Sequence, residues 1–342
     1  MAKKKQPKGS GPYALGMDLG GTKILASVVS SEGIIVAEAK LKTKPKEGPD
    51  AVIERMIRAA RKALEKGGIE LKDVLGMGVG APGPVDPESG IVYHPPNLSG
   101  WNEVALGPRL AENLGIPAFV DNDVNLGTLG EHALGAGQGT TDMVGVFVGT
   151  GVGGGLILDG KLRSGFRHAA AEVGHTIVLA DGPVCGCGKR GCLESVASRT
   201  AIDRDIRLGI AAGRQSLIPD LTGGHLDRLT SGVLAKAWQQ GDPLVTEILT
   251  KARWYLGLLT ASIVNLIDPE MVVLGGGVIE ALGEEFLDPL RVIARQYFIQ
   301  QADADRVQIV TARLGDDAGV LGAAVLARQR SGKGQSQPAP SE

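Results

Sequence analysis

The chain has no stretch approaching the roughly 18 consecutive apolar residues that a membrane span requires, and its basic start, MAKKKQPKGSGP, lacks the apolar core of an export signal. A cytoplasmic protein is expected. It also has little net charge, formally -2 over 342 residues, which gives no overall attraction to nucleic acid or to an anionic membrane. Small molecules are the expected partners. Cysteine is scarce too. Cys185, Cys187 and Cys192 are odd in number and crowded together, which suits a metal site in a reducing compartment better than a disulfide framework.

What the chain has is length and glycine. Its 342 residues fit two α/β lobes of the usual size, about 100 to 200 residues each, and two lobes imply a cleft. The 51 glycines cluster in GMDLGGTK, GMGVGAPGPVD, VGTGVGGGLI and VVLGGGV, where a backbone must turn tightly or approach a ligand closely. Strand-like runs alternate with helical ones. YALGMDLG, ILASVVS and IIVAEAKLK precede a helix over residues 50 to 66 and the strand VLGMGVG. A second cycle runs from PAFVDNDV through DMVGVFVGTGVGGGLILDG to a long helix near 244 to 266 and the strand MVVLGGG. GTGVGGGL echoes DLGGTKIL, which suggests an internal repeat. Residues 1 to 11 and 331 to 342 are too polar to repay ordering and are expected to be disordered tails.

Three glycine sites could hold phosphate. Asp18 ends a strand and is followed by Gly20, Gly21, Thr22 and Lys23, whose backbone N–H groups could point at phosphate oxygens; this is no Walker A loop, and a plain hairpin is the alternative. Thr150 and Gly151 repeat the arrangement, and Gly275, Gly276 and Gly277 close a buried strand. Asp121, Asn122, Asp123 and Asn125 crowd a strand-to-helix junction. Helix capping would need only one of them. A carboxylate there could take a proton from a sugar hydroxyl while a neighbouring amide binds adjacent hydroxyls. His175, Cys185, Cys187 and Cys192 form a Cys3His set suited to a closed tetrahedral zinc site, structural because no coordination position stays open.

In this order, DLGGTK, GAPGPVD, PPNLSGW, VDNDVN, GTGVGGG, EVGH, CGCGKRGCLE and LGGGV resemble the ROK family of sugar kinases and repressors over most of residues 13 to 328. The resemblance implies an actin-like, two-lobed fold of the ribonuclease H-like type that closes on ATP and sugar. The small lobe would span residues 12 to 120, completed by a C-terminal helix at about 317 to 330. The large lobe would span 121 to 316, with a zinc-binding sugar-recognition segment at 160 to 200. It also implies Asp123 as catalytic base, with Gly83, Asn97, Asn122, Glu172, His175 and Glu194 around the sugar. Asp18 would help place Mg²⁺, and Gly20, Gly21, Thr22, Lys23, Thr150, Gly151, Gly275, Gly276 and Gly277 would line the nucleotide. Glucose is the expected substrate by likeness to the family's glucokinases. N-acetylmannosamine, N-acetylglucosamine, mannose or fructose are alternatives, as are polyphosphate as donor and a non-catalytic sugar sensor. A homodimer is expected by the same likeness. The first strand begins by about Tyr13, which leaves no room for the DNA-reading domain of the repressor branch, so no nucleic-acid partner is expected.

Overall fold

Apolar residues on two sets of five strands define the architecture, seen in a computed structural model that describes residues 11–95 and 97–333. The first set is β1 (Tyr13–Leu19), β2 (Lys23–Val29), β3 (Ile35–Lys42), β4 (Val74–Ala81) and β5 (Ala118–Asn122), in sheet order β3-β2-β1-β4-β5. The second is β6 (Met143–Val148), β7 (Val152–Leu158), β8 (Lys161–Leu162), β9 (Met271–Gly275) and β10 (Gln308–Thr311), in order β8-β7-β6-β9-β10. Both sheets share one plan. An antiparallel meander is extended by two parallel strands on the free edge of its first strand, β1 or β6. The echo between the two glycine hairpins is thus matched by the sheets that carry them.

Six helices frame the sheets: α1 (Gly48–Gly67), α2 (Asp123–Leu134), α3 (Arg199–Ala211), α4 (Pro243–Ile267), α5 (Gly277–Gln296) and α6 (Ala318–Lys333). In α1, Val52, Ile53, Met56, Ala59, Ala60, Ala63 and Leu64 recur at helical spacing and are buried. Gly68, left-handed at φ 63°, ends the helix. The α4 start is fixed by buried Asp242, whose side chain accepts from Val245 N (2.9 Å) just before Pro243. A three-stranded ribbon, Val85–Asp86, Ile91–Val92 and Val104–Ala105, has no counterpart among the sequence expectations, because two-residue strands leave no periodic signal. No helix among the described residues is long and apolar enough to cross a membrane.

Two boundaries differ from expectation. Strand β5 carries the first sheet to Asn122, past the division expected at residue 120. The final helix runs to residue 333, not 330, so residues 331 to 333 are helix rather than tail. Its last turns are anchored: Arg328 donates to Pro12 O and Val29 O, and Ser331 Oγ donates to Leu75 O. The tail expectations for residues 1 to 10 and 334 to 342 lie outside the described residues.

Helix α2 packs on β4 and β5 of one sheet and on β6 and β7 of the other, and α6 packs on α2, β1 and β4. Glycine permits this closeness. A Cβ at Gly16 or Gly78 would overlap the carbonyl oxygens of Val320 or Ala323 in α6, and one at Gly322 would overlap Leu126 O in α2. We therefore expect Gly322→Ala to destabilise, although alanine is intrinsically better in a helix by about 1 kcal/mol. A backbone oxygen cannot swing aside, so overpacking should cost about 3 kcal/mol and lower the melting temperature by several degrees. Gly332→Ala, on the same helix with nothing within 4 Å, should be neutral or stabilising in the same scanning calorimetry experiment. Equal effects would refute the close-approach argument.

Candidate active site

Each sheet carries a glycine hairpin. In the β1–β2 turn, Gly20 N donates to Lys23 O (2.9 Å) and Gly20 O accepts from Thr43 Oγ1 (2.6 Å), which leaves Gly21 and Thr22 at the tip. The β6–β7 turn closes alike, Gly149 N to Gly151 O (2.9 Å), with Thr150 at its tip. Close by, β9 runs into α5 at Gly276, where φ is 86° and a Cβ would lie 2.6 Å from Val148 O. No side chain caps α5, so its N-terminal N–H groups remain available to an anion. Gly277 is its first residue. Gly275 is buried against Phe147 and Ala312, so its lack of a side chain is accounted for by packing.

The segment from residue 97 to 101 is anchored by buried Leu98 and Trp101. Asn97 and Pro95 meet two of the predicted motifs, since a Cβ on Gly21 would lie 2.9 Å from Asn97 Cβ and one on Gly83 2.9 Å from Pro95 Cα. Gly83, at φ 86°, turns its carbonyl to Asn122 Nδ2 (3.3 Å). The capping alternative proves correct for part of the VDNDVN cluster. Asn122 Oδ1 caps α2 by accepting from Val124 N (2.9 Å) and Asn125 N (3.2 Å). Buried Asp121 accepts from Asn122 N and from Asn125 Nδ2 (2.8 Å), so Asp121 and Asn125 hold the junction together.

Asp123 is thereby released from capping. Its Oδ1 accepts from Val124 N (2.9 Å). Burial pushes its carboxyl up to about 6, the Asp18 charge adds to the rise, N–H groups of the helix start oppose it, and Glu172 contributes a little more. Desolvation and like charge win over the helix terminus. Asp18 is raised in turn by burial and by Asp316, against the pull of Lys23. Asp18 and Glu172 therefore lie near enough to Asp123 for their charges to act on it.

The Cys3His set assembles. The ligand atoms of His175, Cys185, Cys187 and Cys192 lie within 4.8 Å of one another. Cys187 and Cys192 sulfurs are 3.7 Å apart, and Cys185 Sγ is 3.8 Å from His175 Nδ1. A tetrahedral ion with metal–sulfur bonds of about 2.3 Å requires sulfur–sulfur edges of about 3.8 Å, so the residues fit such an ion. Two isolated bridges, Ile177 with Cys192 and Val184 with Arg190, hold the loop that presents them. Glu194 joins this cluster to the second hairpin: Oε2 accepts from Val152 N (3.0 Å), and Oε1 lies 3.4 Å from Cys185 Sγ. Glu172 precedes the short turn Val173–His175 and is exposed.

Sequence reasoning missed three neighbours. Arg199 donates Nη2 to Thr150 Oγ1 (3.2 Å), and Thr200 Oγ1 donates to Thr150 O (2.7 Å). Asp316 raises the carboxyls of both Asp18 and Glu280. The signals were a helix opening ASRT shortly after the last cysteine and an acidic pair before the last helix, neither distinctive alone.

Comparison with known proteins places the chain in context. Residues 14–330 match the ROK family. The chain is 37% identical to a glucokinase of Thermotoga maritima over 318 residues, covering 93% of this chain and 98% of that one. It is 34% identical to a glucokinase of Halalkalibacterium halodurans over 319 residues, 93% and 96% of the two chains. Its structure is similar to a ROK family glucokinase from Streptomyces griseus in complex with glucose and AMPPNP, with TM-score 0.80, 36% identity and coverage of 93% and 99%. The two-lobed actin-like fold expected from sequence is the fold found.

The raised Asp123 carboxyl has a stability consequence. Its ordinary value is 3.8 and its folded value about 6. The folded state retains the proton longer, so the group's favourable contribution is complete below about pH 4 and is lost as pH rises through 6. Asp123→Asn, which cannot ionise, should melt above the wild type at pH 8, and the gap should close towards pH 4. A pH-independent gap in thermal melts would contradict the assignment.

Proposed function

The chain belongs to the ROK family, and from that premise we propose that it is a sugar kinase transferring the terminal phosphoryl group of ATP to glucose, yielding glucose 6-phosphate. The observation that carries the proposal is Asp123: a carboxylate freed from capping, at a helix start between two sheets, with its pKa raised towards neutrality. At pH 7 such a group is about nine-tenths ionised and is a stronger base than an ordinary carboxylate. It would accept the proton of the 6-hydroxyl as that oxygen attacks phosphorus. With Oδ1 accepting from Val124 N, Oδ2 would be the oxygen that takes the proton.

Asn122 keeps an amide hydrogen for a neighbouring hydroxyl. Glu172, His175, Glu194, Asn97 and the Gly83 turn would complete the sugar contacts, a set of carboxylates, imidazole and amides that rejects analogues lacking a hydroxyl. The donor would lie on backbone N–H groups of Gly21, Thr22, Thr150 and Gly151 and on the α5 start at Gly276 and Gly277, with Lys23 nearby and Asp18 helping to place the Mg²⁺ that accompanies it. Asp18 and Asp123 repel each other, and a bound cation would relieve that repulsion. Zinc, held by His175 Nδ1, Cys185, Cys187 and Cys192, would supply rigidity rather than Lewis acidity, since four protein ligands close its shell. His175 Nε2 would then be fixed as a donor to the sugar. A cytoplasmic homodimer remains our expectation; exposed Leu266 and Ile299 beside the edge-on Trp254–Tyr297 pair offer an apolar face for it.

A sugar panel tests the substrate: Mg²⁺-dependent ATP turnover should be greatest with glucose, and turnover confined to N-acetylated amino sugars would sink that choice. Asp123→Asn should lower kcat by about 10² to 10⁴ with little change in glucose affinity. If kcat stays within a few-fold of wild type, Asp123 is not the base.

Metal analysis should find one zinc per chain, lost in Cys187→Ser. Calorimetry on that variant should show glucose affinity collapsing before the lobes unfold, because Glu172 and Glu194 flank the ligands and His175 is one of them. Wild-type glucose affinity in a demonstrably metal-free variant would refute the coupling.

A further inference from the structure

We propose that Arg199 binds the terminal phosphates of the phosphoryl donor at the tip of the second glycine hairpin, a role that rests on the kinase reading above. The helix that carries it is clamped to that hairpin. Ser198 caps α3 by accepting from Ala201 N (3.1 Å), Arg199 N donates to Gly149 O (2.9 Å), and Thr200 Oγ1 donates to Thr150 O (2.7 Å). Two successive hairpin carbonyls are thus held by two successive residues at the helix start. The position of the Arg199 backbone relative to the hairpin is fixed before any ligand arrives.

The side chain lacks the partner that its neighbours have. On the same helix, Arg204 pairs with Asp205 (2.7 Å) and Arg207 with Asp203 (2.8 Å), and beyond it Arg214 pairs with Glu247 (2.6 Å). Arg199 forms no ion pair among the described residues and donates Nη2 to the Thr150 hydroxyl alone (3.2 Å). That bond uses a lone pair of Thr150 Oγ1 and leaves the hydroxyl proton to point elsewhere. A guanidinium fork and a free hydroxyl proton side by side match the paired oxygens of a phosphate.

The location favours the transferable end of the donor. Glu194 meets the same hairpin beside the tip, bonded to Val152 N (3.0 Å), and a Cβ on Gly151 would lie 2.4 Å from its Oε2. One short hairpin therefore carries a carboxylate that the kinase reading assigns to the sugar and, at its tip, a cation. On the kinase reading the transferable phosphoryl group lies between sugar and donor, and so nearer to a hairpin that touches a sugar-binding carboxylate than the purine does. ATP and inorganic polyphosphate both present such terminal phosphates.

Calorimetry with AMPPNP, ADP and AMP, in the presence of glucose, compares wild type with Arg199→Gln and Arg199→Lys. Arg199→Gln should lose about tenfold or more in AMPPNP affinity, less in ADP affinity and none for AMP, with part of the loss restored by lysine. Unchanged AMPPNP affinity, or an equal loss for all three ligands, overturns the proposal, the latter by showing a general disturbance of the hairpin. Steady-state arms separate the donors: the rise in KM should appear with whichever of ATP and polyphosphate the wild type uses, and an unchanged KM with that donor also overturns it. Wild-type protein that phosphorylates no sugar from either donor would refute the kinase reading instead, while the nucleotide series would still decide whether Arg199 senses the terminal phosphate.

Discussion

Helix α2 lies between the two sheets, and the rest of the site depends on how closely its backbone meets that of α6. Gly130 and Gly322 make that meeting possible, since a Cβ on either would run into a carbonyl oxygen of the facing helix. The N-terminus of α2 carries Asp123. Its other end carries Glu131, fully buried, whose carboxylate accepts N–H groups from Ala136 (2.8 Å), Arg313 (2.9 Å) and Leu314 (2.7 Å). Such a carboxylate is compensated by directed N–H donors rather than by a counter-ion. It ties α2 to the segment that enters α6 and carries Asp316, which acts on Asp18. The helix therefore carries Asp123 and anchors the segment of Asp316, while Asp18, on β1, feels Asp316 and acts on Asp123.

The electrostatics follow from that placement. An acid at a helix start is ordinarily held low by the N–H groups around it. Asp123 is raised because desolvation and the nearby Asp18 charge exceed that help. The position is poor for stability and good for proton transfer, a conflict expected at functional sites rather than in structural cores.

Much of this was legible in the sequence where the relevant residues are near one another in the chain. The Cys3His set falls within one loop-rich segment, so its assembly needs only local turns, and its ligand atoms do converge. The glycine hairpins join strands adjacent in sequence, and so their pairing could be read from alternation alone. The division of labour within VDNDVN could not, because choosing Asn122 over Asp121 or Asp123 as the cap depends on which side chain the sheet buries. Arg199 and Thr150 are 49 residues apart and Arg313 and Glu131 182 apart, so tertiary packing alone brings them together. Gly275 resembled a ligand-facing glycine because sequence does not distinguish a backbone close to phosphate from one close to Phe147.

The two sheets share a strand plan and a glycine turn, yet they present different chemistry at equivalent tips. The first turn is flanked by Asp18 and Lys23, within reach of the Asp123 carboxyl across the parallel edge of its sheet. The second is flanked by Glu194 from the cysteine-bearing segment and by Arg199 from the following helix. On the proposed reading both turns would offer backbone N–H groups to an anion, but two identical tips would have no means of distinguishing donor from acceptor. Direction comes from side chains lying outside the repeat. The cysteine-bearing segment brings the Glu194 carboxylate to the second hairpin, and α3 brings a guanidinium to its tip. Phosphoryl transfer needs that asymmetry, because the acceptor oxygen must be relieved of a proton while the donor phosphates are met by positive charge.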